Sequence, residues 1–107
     1  MRLPRGPPGT YTADVSERIR VALVEDQDVT REGLSLLIGG SPGFEICGQY
    51  GSMEDALEQI RGNPPDVLLA DIGLPGMSGI EGVRRIHEWV PELPILMLTI
   101  HEDSDSV

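Results

Sequence analysis

Val67-Leu68-Leu69-Ala70-Asp71-Ile72-Gly73-Leu74-Pro75-Gly76-Met77-Ser78-Gly79 is the stretch on which the reading of the fold turns. An apolar run ends in one carboxylate, Asp71, and a loop with Pro75 and three glycines follows at once. A short apolar run bounded by turn residues is the pattern of a buried strand. A strand that ends in an acid and a tight loop holds that acid at the edge of a sheet. In an open α/β sheet the carboxyl ends of the strands are where ligands bind. Asp71 is therefore the first candidate for a reactive group.

The pattern repeats on both sides. Ile19 to Val24 turns from alternating to apolar and ends in Glu25-Asp26, which predicts a buried strand finishing in two acids. Asp28 is expected to cap a helix from about Val29 to Ile38, with Leu34, Leu37 and Ile38 inside and the Arg31/Glu32 side wet. Gly39-Gly40-Ser41-Pro42-Gly43 stops it, and Phe44 to Tyr50 reads as a second strand. Ser52, with an acid three residues on, predicts the N-cap of a helix whose inner face is Ala56, Leu57 and Ile60. Gly62-Asn63-Pro64-Pro65 ends that helix, and Val67 to Ala70 is the third strand. The next helix runs from Gly79 to Val90, with Ile80, Val83, Ile86 and Val90 spaced for one face. Ile95 to Thr99 is a fourth buried strand, set off by Pro91 and Pro94, and His101 to Val107 looks like the start of another helix. Residues 1–18, rich in Pro and Gly, are expected to be a disordered leader to a domain over 19–107.

Strands alternating with helices of this length imply βαβ units and an α/β parallel sheet. Strands one, three and four are continuous apolar runs, as expected where both faces of a sheet are covered.

Composition narrows the function. At 107 residues the chain is one domain at most. No apolar run approaches the ~20 residues of a membrane span, and no segment has the order of a secretion signal. The net charge of −10 argues against general electrostatic binding of nucleic acid. All eight basic residues are Arg, so no step that needs a lysine ammonium can run on this chain alone. The single cysteine, Cys47, cannot form an internal disulfide and fits a reducing, cytoplasmic setting. It is expected to be buried and inert. His87 and His101 lie far apart with no second Cys or His beside them, which argues against zinc.

If the first and third strands are neighbours, Glu25, Asp26 and Asp71 converge on one sheet edge, with Thr99 at the end of the fourth strand. Bare, three carboxylates raise one another's pKa. A divalent cation removes the conflict, and Mg2+, which takes a few carboxylates and keeps several waters, fits best. The bland alternative is that acids at strand ends cap helices and that a Thr there is only a strand residue. Met77 then reads as loop packing, Trp89 as partial core cover, and Pro75 as a fixer of loop shape.

From Ile19 onward the chain resembles the receiver domain of bacterial two-component response regulators. The resemblance rests on Glu25-Asp26 after the first strand, on Asp71 through Gly79, and on Thr99, in the family's order. Val24-Glu25-Asp26-Gln27 and Arg31-Glu32-Gly33-Leu34 further resemble the LuxR/NarL-type regulators, which carry a C-terminal helix-turn-helix. The resemblance implies a flavodoxin-like (CheY-like) doubly wound parallel sheet with four of its five strands present. It implies that Asp71 accepts a phosphoryl group from a sensor histidine kinase and that Asp26, Asp71 and the Gly73 carbonyl bind Mg2+, with Glu25 acting through a metal-bound water. Thr99 would hydrogen-bond the phosphoryl group and relay the signal. Such a domain is a phosphoacceptor in signalling, not an enzyme in its own right. DNA would be bound through the missing helix-turn-helix and not by this segment, and no membrane is involved.

The sequence departs from the family in two ways. It has no lysine to contact the phosphoryl group, and it ends at Val107 before a fifth strand. The expectation is a truncated receiver, phosphorylated slowly or not at all. Its fourth strand would lie at the sheet edge with Ile95 to Leu98 poorly covered, open to edge-strand association or homodimer formation. Two rivals stand beside this reading. Asp26-Gln27-Asp28-Val29-Thr30 resembles the nucleophile motif of haloacid-dehalogenase-like phosphatases, with Asp26 as nucleophile and Asp28 as acid/base. The other rival is a pseudo-receiver, an interaction module that works without phosphorylation.

Overall fold

The computed structural model describes residues 18–98. Seven elements follow one another: β1 (Ile19–Val24), α1 (Asp28–Gly39), β2 (Phe44–Tyr50), α2 (Met53–Gly62), β3 (Val67–Asp71), α3 (Gly79–Trp89) and β4 (Ile95–Leu98). The four strands form one parallel sheet in the order β2-β1-β3-β4. This is the doubly wound arrangement that the alternating pattern implies. The chain leaves β1 in one direction to make β2 and returns past it to make β3. That reversal opens a crevice between the carboxyl ends of β1 and β3.

Register fixes which side chains share a face. Val21 pairs with Val67, Leu23 with Leu69, and Leu69 with Leu96. The intervening residues Ala22, Val24, Leu68 and Ala70 point the other way and are fully buried. They join Met53, Ala56, Leu57 and Ile60 of α2 and Ile86 of α3 in the core. Leu74 and Leu93, both loop residues, complete it. The opposite face is covered by α1, which packs on β1 and β2.

The helix starts follow local chemistry. Ser52 accepts a hydrogen bond from the Asp55 amide at 3.1 Å, as its spacing predicts. Ser78 does the same for Glu81 at 3.1 Å, which opens α3 directly after the glycine loop. α1 departs from expectation. Gln27, not Asp28, holds the N-cap position, without a side-chain cap bond. Asp28 is the first helical residue, and its carboxylate binds Arg31 at 2.6 Å instead. Arg31 itself is thereby half-buried, while Glu32 beside it is exposed as expected.

Two helix faces also differ from the spacing argument. Leu37 is 70% exposed; Leu34 and Ile38 are half-buried, and Ser35 is the buried residue of α1. Ile80 is 61% exposed, whereas Gly79, Gly82 and Ile86 form the buried side of α3. The reason is close approach. A Cβ on Gly82 would overlap the Met53 side chain, so α3 sits against α2 through glycine and cannot turn a larger residue inward there.

β2 carries an irregularity that the alternation hides. Its pairing with β1 steps from Ile46 to Gly48, so Cys47 is the extra, bulged residue. Cys47 is half-buried, not buried as expected. The Tyr50 hydroxyl folds over Gly48 and fills the space a Cβ would need. Trp89, expected as partial core cover, is instead 39% exposed, with the Arg61 guanidinium 5.4 Å from its ring centroid. Met77 packs on the core from its loop, as expected.

Candidate functional site

The carboxyl ends of β1 and β3 bring Glu25, Asp26 and Asp71 together. One ligand oxygen from each lies within 4.8 Å of the others. The register explains why. Val24 and Ala70 are paired, so the residues that follow them leave the sheet side by side. The Glu25 amide donates to the Tyr50 carbonyl at 3.0 Å, which ties this turn to the end of β2. The Ile72 amide donates to the Leu98 carbonyl at 3.0 Å, which ties the Asp71 loop to β4.

The three acids differ in environment. Glu25 is 2% exposed, Asp71 is half-buried and Asp26 is exposed. One Glu25 oxygen, Oε2, accepts from the Gln27 amide at 2.8 Å. The other, Oε1, is buried without a hydrogen-bond partner. Burial pushes the Glu25 carboxyl above its ordinary range, and the Gln27 amide pulls the other way. The close approach of Asp26 and the negative charge of Asp71 add to the rise. A buried carboxyl group with one oxygen lacking a donor, clustered with two more acids, is a donor set short of a cation. Hard oxygen donors of this kind suit Mg2+.

The loop after Asp71 is held on both sides. The Gly73 amide donates to Asp71 Oδ1 at 3.0 Å, which fixes the carboxylate's orientation. Gly76 has φ of +70°, a conformation glycine adopts freely, and a Cβ there would stand only 3.0 Å from Glu54 Oε2. The same Glu54 oxygen accepts from the Met77 amide at 3.1 Å. Glu54 and Arg31 are the site residues that sequence reasoning missed. The Arg31–Asp28 spacing of one helical turn was a signal for the latter; Glu54 lies 23 residues from its partner and offered none. Thr99 lies outside the described residues.

A model of the response regulator receiver domain matches residues 21–107. The chain belongs to the response regulator receiver family. Curated relatives agree. The receiver is 31% identical over 84% of its length to the transcriptional regulatory protein DegU of Brevibacillus brevis. It is 34% identical over 80% of its length to the response regulator UvrY of Escherichia coli. It spans only 38% and 39% of those two proteins. Among solved structures, a LuxR-family two-component response regulator from Aurantimonas superposes with a TM-score of 0.74 at 34% identity, over 79% of this chain and 61% of that one. The response regulator domain of Thermotoga maritima CheB gives 0.72 at 29%, over 77% and 60%. The receiver fold is thus the one expected from Asp71 and its loop, and the LuxR/NarL-type kinship the one expected from Val24-Glu25-Asp26-Gln27 and Arg31-Glu32-Gly33-Leu34. The match over residues 21–107 favours the receiver over the phosphatase alternative, whose acid/base, Asp28, is 88% exposed and paired with Arg31. No helix among the described residues is long and apolar enough to cross a membrane.

Proposed function

We propose that this receiver accepts a phosphoryl group on Asp71 from a phosphohistidine of a sensor kinase. The supporting observation is the meeting of three carboxylates within 4.8 Å at the β1/β3 crevice, one with a buried, unpartnered oxygen. An Asp71 oxygen attacks phosphorus, the P–N bond breaks, and the imidazole leaves with the electron pair. Asp71 becomes an acyl phosphate. Phosphoryl transfer asks mainly for positioning and charge neutralisation. Asp26, Asp71 and the Gly73 carbonyl would hold Mg2+, and Glu25 would hold a water bound to it. Bound Mg2+ supplies the positive charge that lets a carboxylate and a phosphoryl group approach. The Gly73 amide keeps the attacking carboxylate turned toward the crevice. Thr99 would receive the phosphoryl oxygens.

The wider reading is a cytoplasmic signalling domain of a transcriptional regulator, with DNA contacted by another part of that protein. β4 is the last strand of the described sheet, with Leu96 57% exposed, and association through that edge with a second copy belongs to the same reading.

Incubation with phosphoramidate and Mg2+, followed by mass spectrometry, tests the assignment. The expected result is one phosphoryl group on Asp71, added slowly because the chain has no lysine. The label should vanish in Asp71→Asn and in chelator. Label on Asp26, or none at all while Mg2+ still binds, would overturn it in favour of a phosphatase or a pseudo-receiver.

A further inference from the structure

The acidic turn that bears Glu25 and Asp26 has one cation built into its underside. Arg31, one turn into α1, is 22% exposed. Its Nη1 donates to the Glu25 carbonyl oxygen at 2.7 Å. Its Nη2 donates to Asp28 Oδ1 at 2.6 Å. Nη1 also packs 3.4 Å from the position a Cβ would take on Gly51, just after β2. One guanidinium therefore ties the turn after β1 to the first turn of α1 and occupies the space beside Gly51 at the start of the β2–α2 loop. Arg20, Arg61, Arg84 and Arg85 are engaged elsewhere, with Pro64, Trp89 and Glu81.

The contact on Glu25 is to its backbone, not its carboxylate. Arg31 therefore does not use up a metal-facing oxygen. It fixes the peptide that joins the two acids and so sets where both side chains start. A rigid fork suits this: a planar guanidinium can satisfy two acceptors at once in fixed geometry, which an ammonium cannot. Glu25 Oε2 is separately held by the Gln27 amide at 2.8 Å, so the turn is fixed from above and below.

We infer that Arg31 is a positioning residue for the metal site: it pre-forms the Glu25-Asp26 turn for a divalent cation, although its own charge opposes that cation. This rests on the reading of the acidic pocket as a Mg2+ site. The two contributions of Arg31 have opposite signs, which makes the inference decidable. If Arg31 acts only as a charge, removing it lowers the local positive potential, and Mg2+ should bind about twofold tighter. If it positions the turn, removing it should weaken binding, as loss of an outer-shell support does.

The test is Mg2+ titration by calorimetry on the full 107-residue chain and on its Arg31→Met and Arg31→Lys variants. Arg31→Met should bind Mg2+ at least about fivefold more weakly, and Arg31→Lys should recover part of that loss. Melting temperatures with chelator and with saturating Mg2+ give a second readout. A merely structural role would lower both equally, whereas a positioning role shrinks the difference between them. Unchanged or tighter binding by Arg31→Met, or an undiminished Mg2+-induced rise in melting temperature, would overturn the inference while leaving the metal site intact. A wild-type chain that binds no Mg2+ would overturn both.

Discussion

The two faces of the sheet are built from the same kinds of residue and end in opposite states. On the α2/α3 face, Ala22, Val24, Leu68 and Ala70 are sealed beneath Met53, Ile60 and Ile86. On the α1 face, Val21 and Leu23 are buried, but Ile19, Phe44 and Leu96 are not. There Val21, Val67, Leu69 and Leu96 line a groove of about 610 Å³ with Ile38, Phe44 and Pro94. The sequence pattern is apolar on both sides because each residue of a central strand alternates between them. What separates the faces is helix cover: among the described residues two helices lie on one, a single helix on the other. Stability in this chain is therefore expected to come from one face, and the adaptable surface to be the other.

Leucine truncations on the two faces break or sharpen that contrast most directly. Leu68→Ala leaves a cavity under α2 and α3 and should cost about 3 kcal/mol, a large share of the ~5–15 kcal/mol that holds a domain folded. Leu96→Ala, on the same sheet but facing the groove, should cost under ~1 kcal/mol, because the removed atoms already face water. Urea unfolding of both variants checks this. Leu96→Ala should also weaken concentration-dependent association, measured by dilution in sedimentation. Equal destabilisation by the two variants would mean that the groove is closed in solution.

How far the sequence could be read follows from the same contrast. Strands and the acids at their ends were legible, since an apolar run broken by a carboxylate and a glycine loop admits few alternatives. So was the convergence of Glu25, Asp26 and Asp71, which needs only that β1 and β3 be neighbours. Helix faces were less legible. Spacing placed Ile80 and Leu37 inward, but α3 is drawn in through Gly79 and Gly82, and small residues carry no hydrophobic signal. Asp28 is a good cap by type. Its carboxylate is taken by Arg31, and the cap falls one residue earlier. The bulge at Cys47 and the Glu54–Met77 hydrogen bond depend on tertiary approach, which no local pattern encodes. Thr99 lies outside the described residues.

At the crevice the contrast changes character, because here burial opposes stability. Glu25 is sealed like a core residue but carries an oxygen without a donor and two acids nearby. In chelator at neutral pH, Glu25→Gln should raise stability by about 1 kcal/mol, since it removes charge repulsion from a poorly hydrated site. Its amide oxygen can still accept from the Gln27 amide. Mg2+ should reverse the ranking. At a hundred times its dissociation constant it adds about 2.7 kcal/mol to the wild type and less to the variant. Thermal unfolding with and without Mg2+ reads both effects. A Glu25→Gln chain less stable than wild type in chelator would show that Glu25 is held by contacts other than those described.

The smallest expected effect probes a weak point in the closed face. Cys47 and Tyr50 line a cavity of about 70 Å³ with Ala22, Gln59, Ile60, Asn63 and Pro65, beside the bulge in β2. Burial raises the Cys47 thiol and the Tyr50 hydroxyl above their ordinary ranges, with the Arg20 charge opposing both. The sign follows from linkage. A group whose pKa is higher in the folded state binds its proton more tightly there, so its contribution is full below the unfolded value. It is lost as pH rises through the folded one. For a thiol and a phenol that window opens at about pH 9. Stability should be flat through neutrality as far as these two groups are concerned and decline above it. Tyr50→Phe and Cys47→Ala should each reduce the slope of that decline, measured by urea unfolding between neutral and alkaline pH. A slope unchanged in the double variant would place the alkaline weakness elsewhere and leave the α2/α3 face sealed along its whole length.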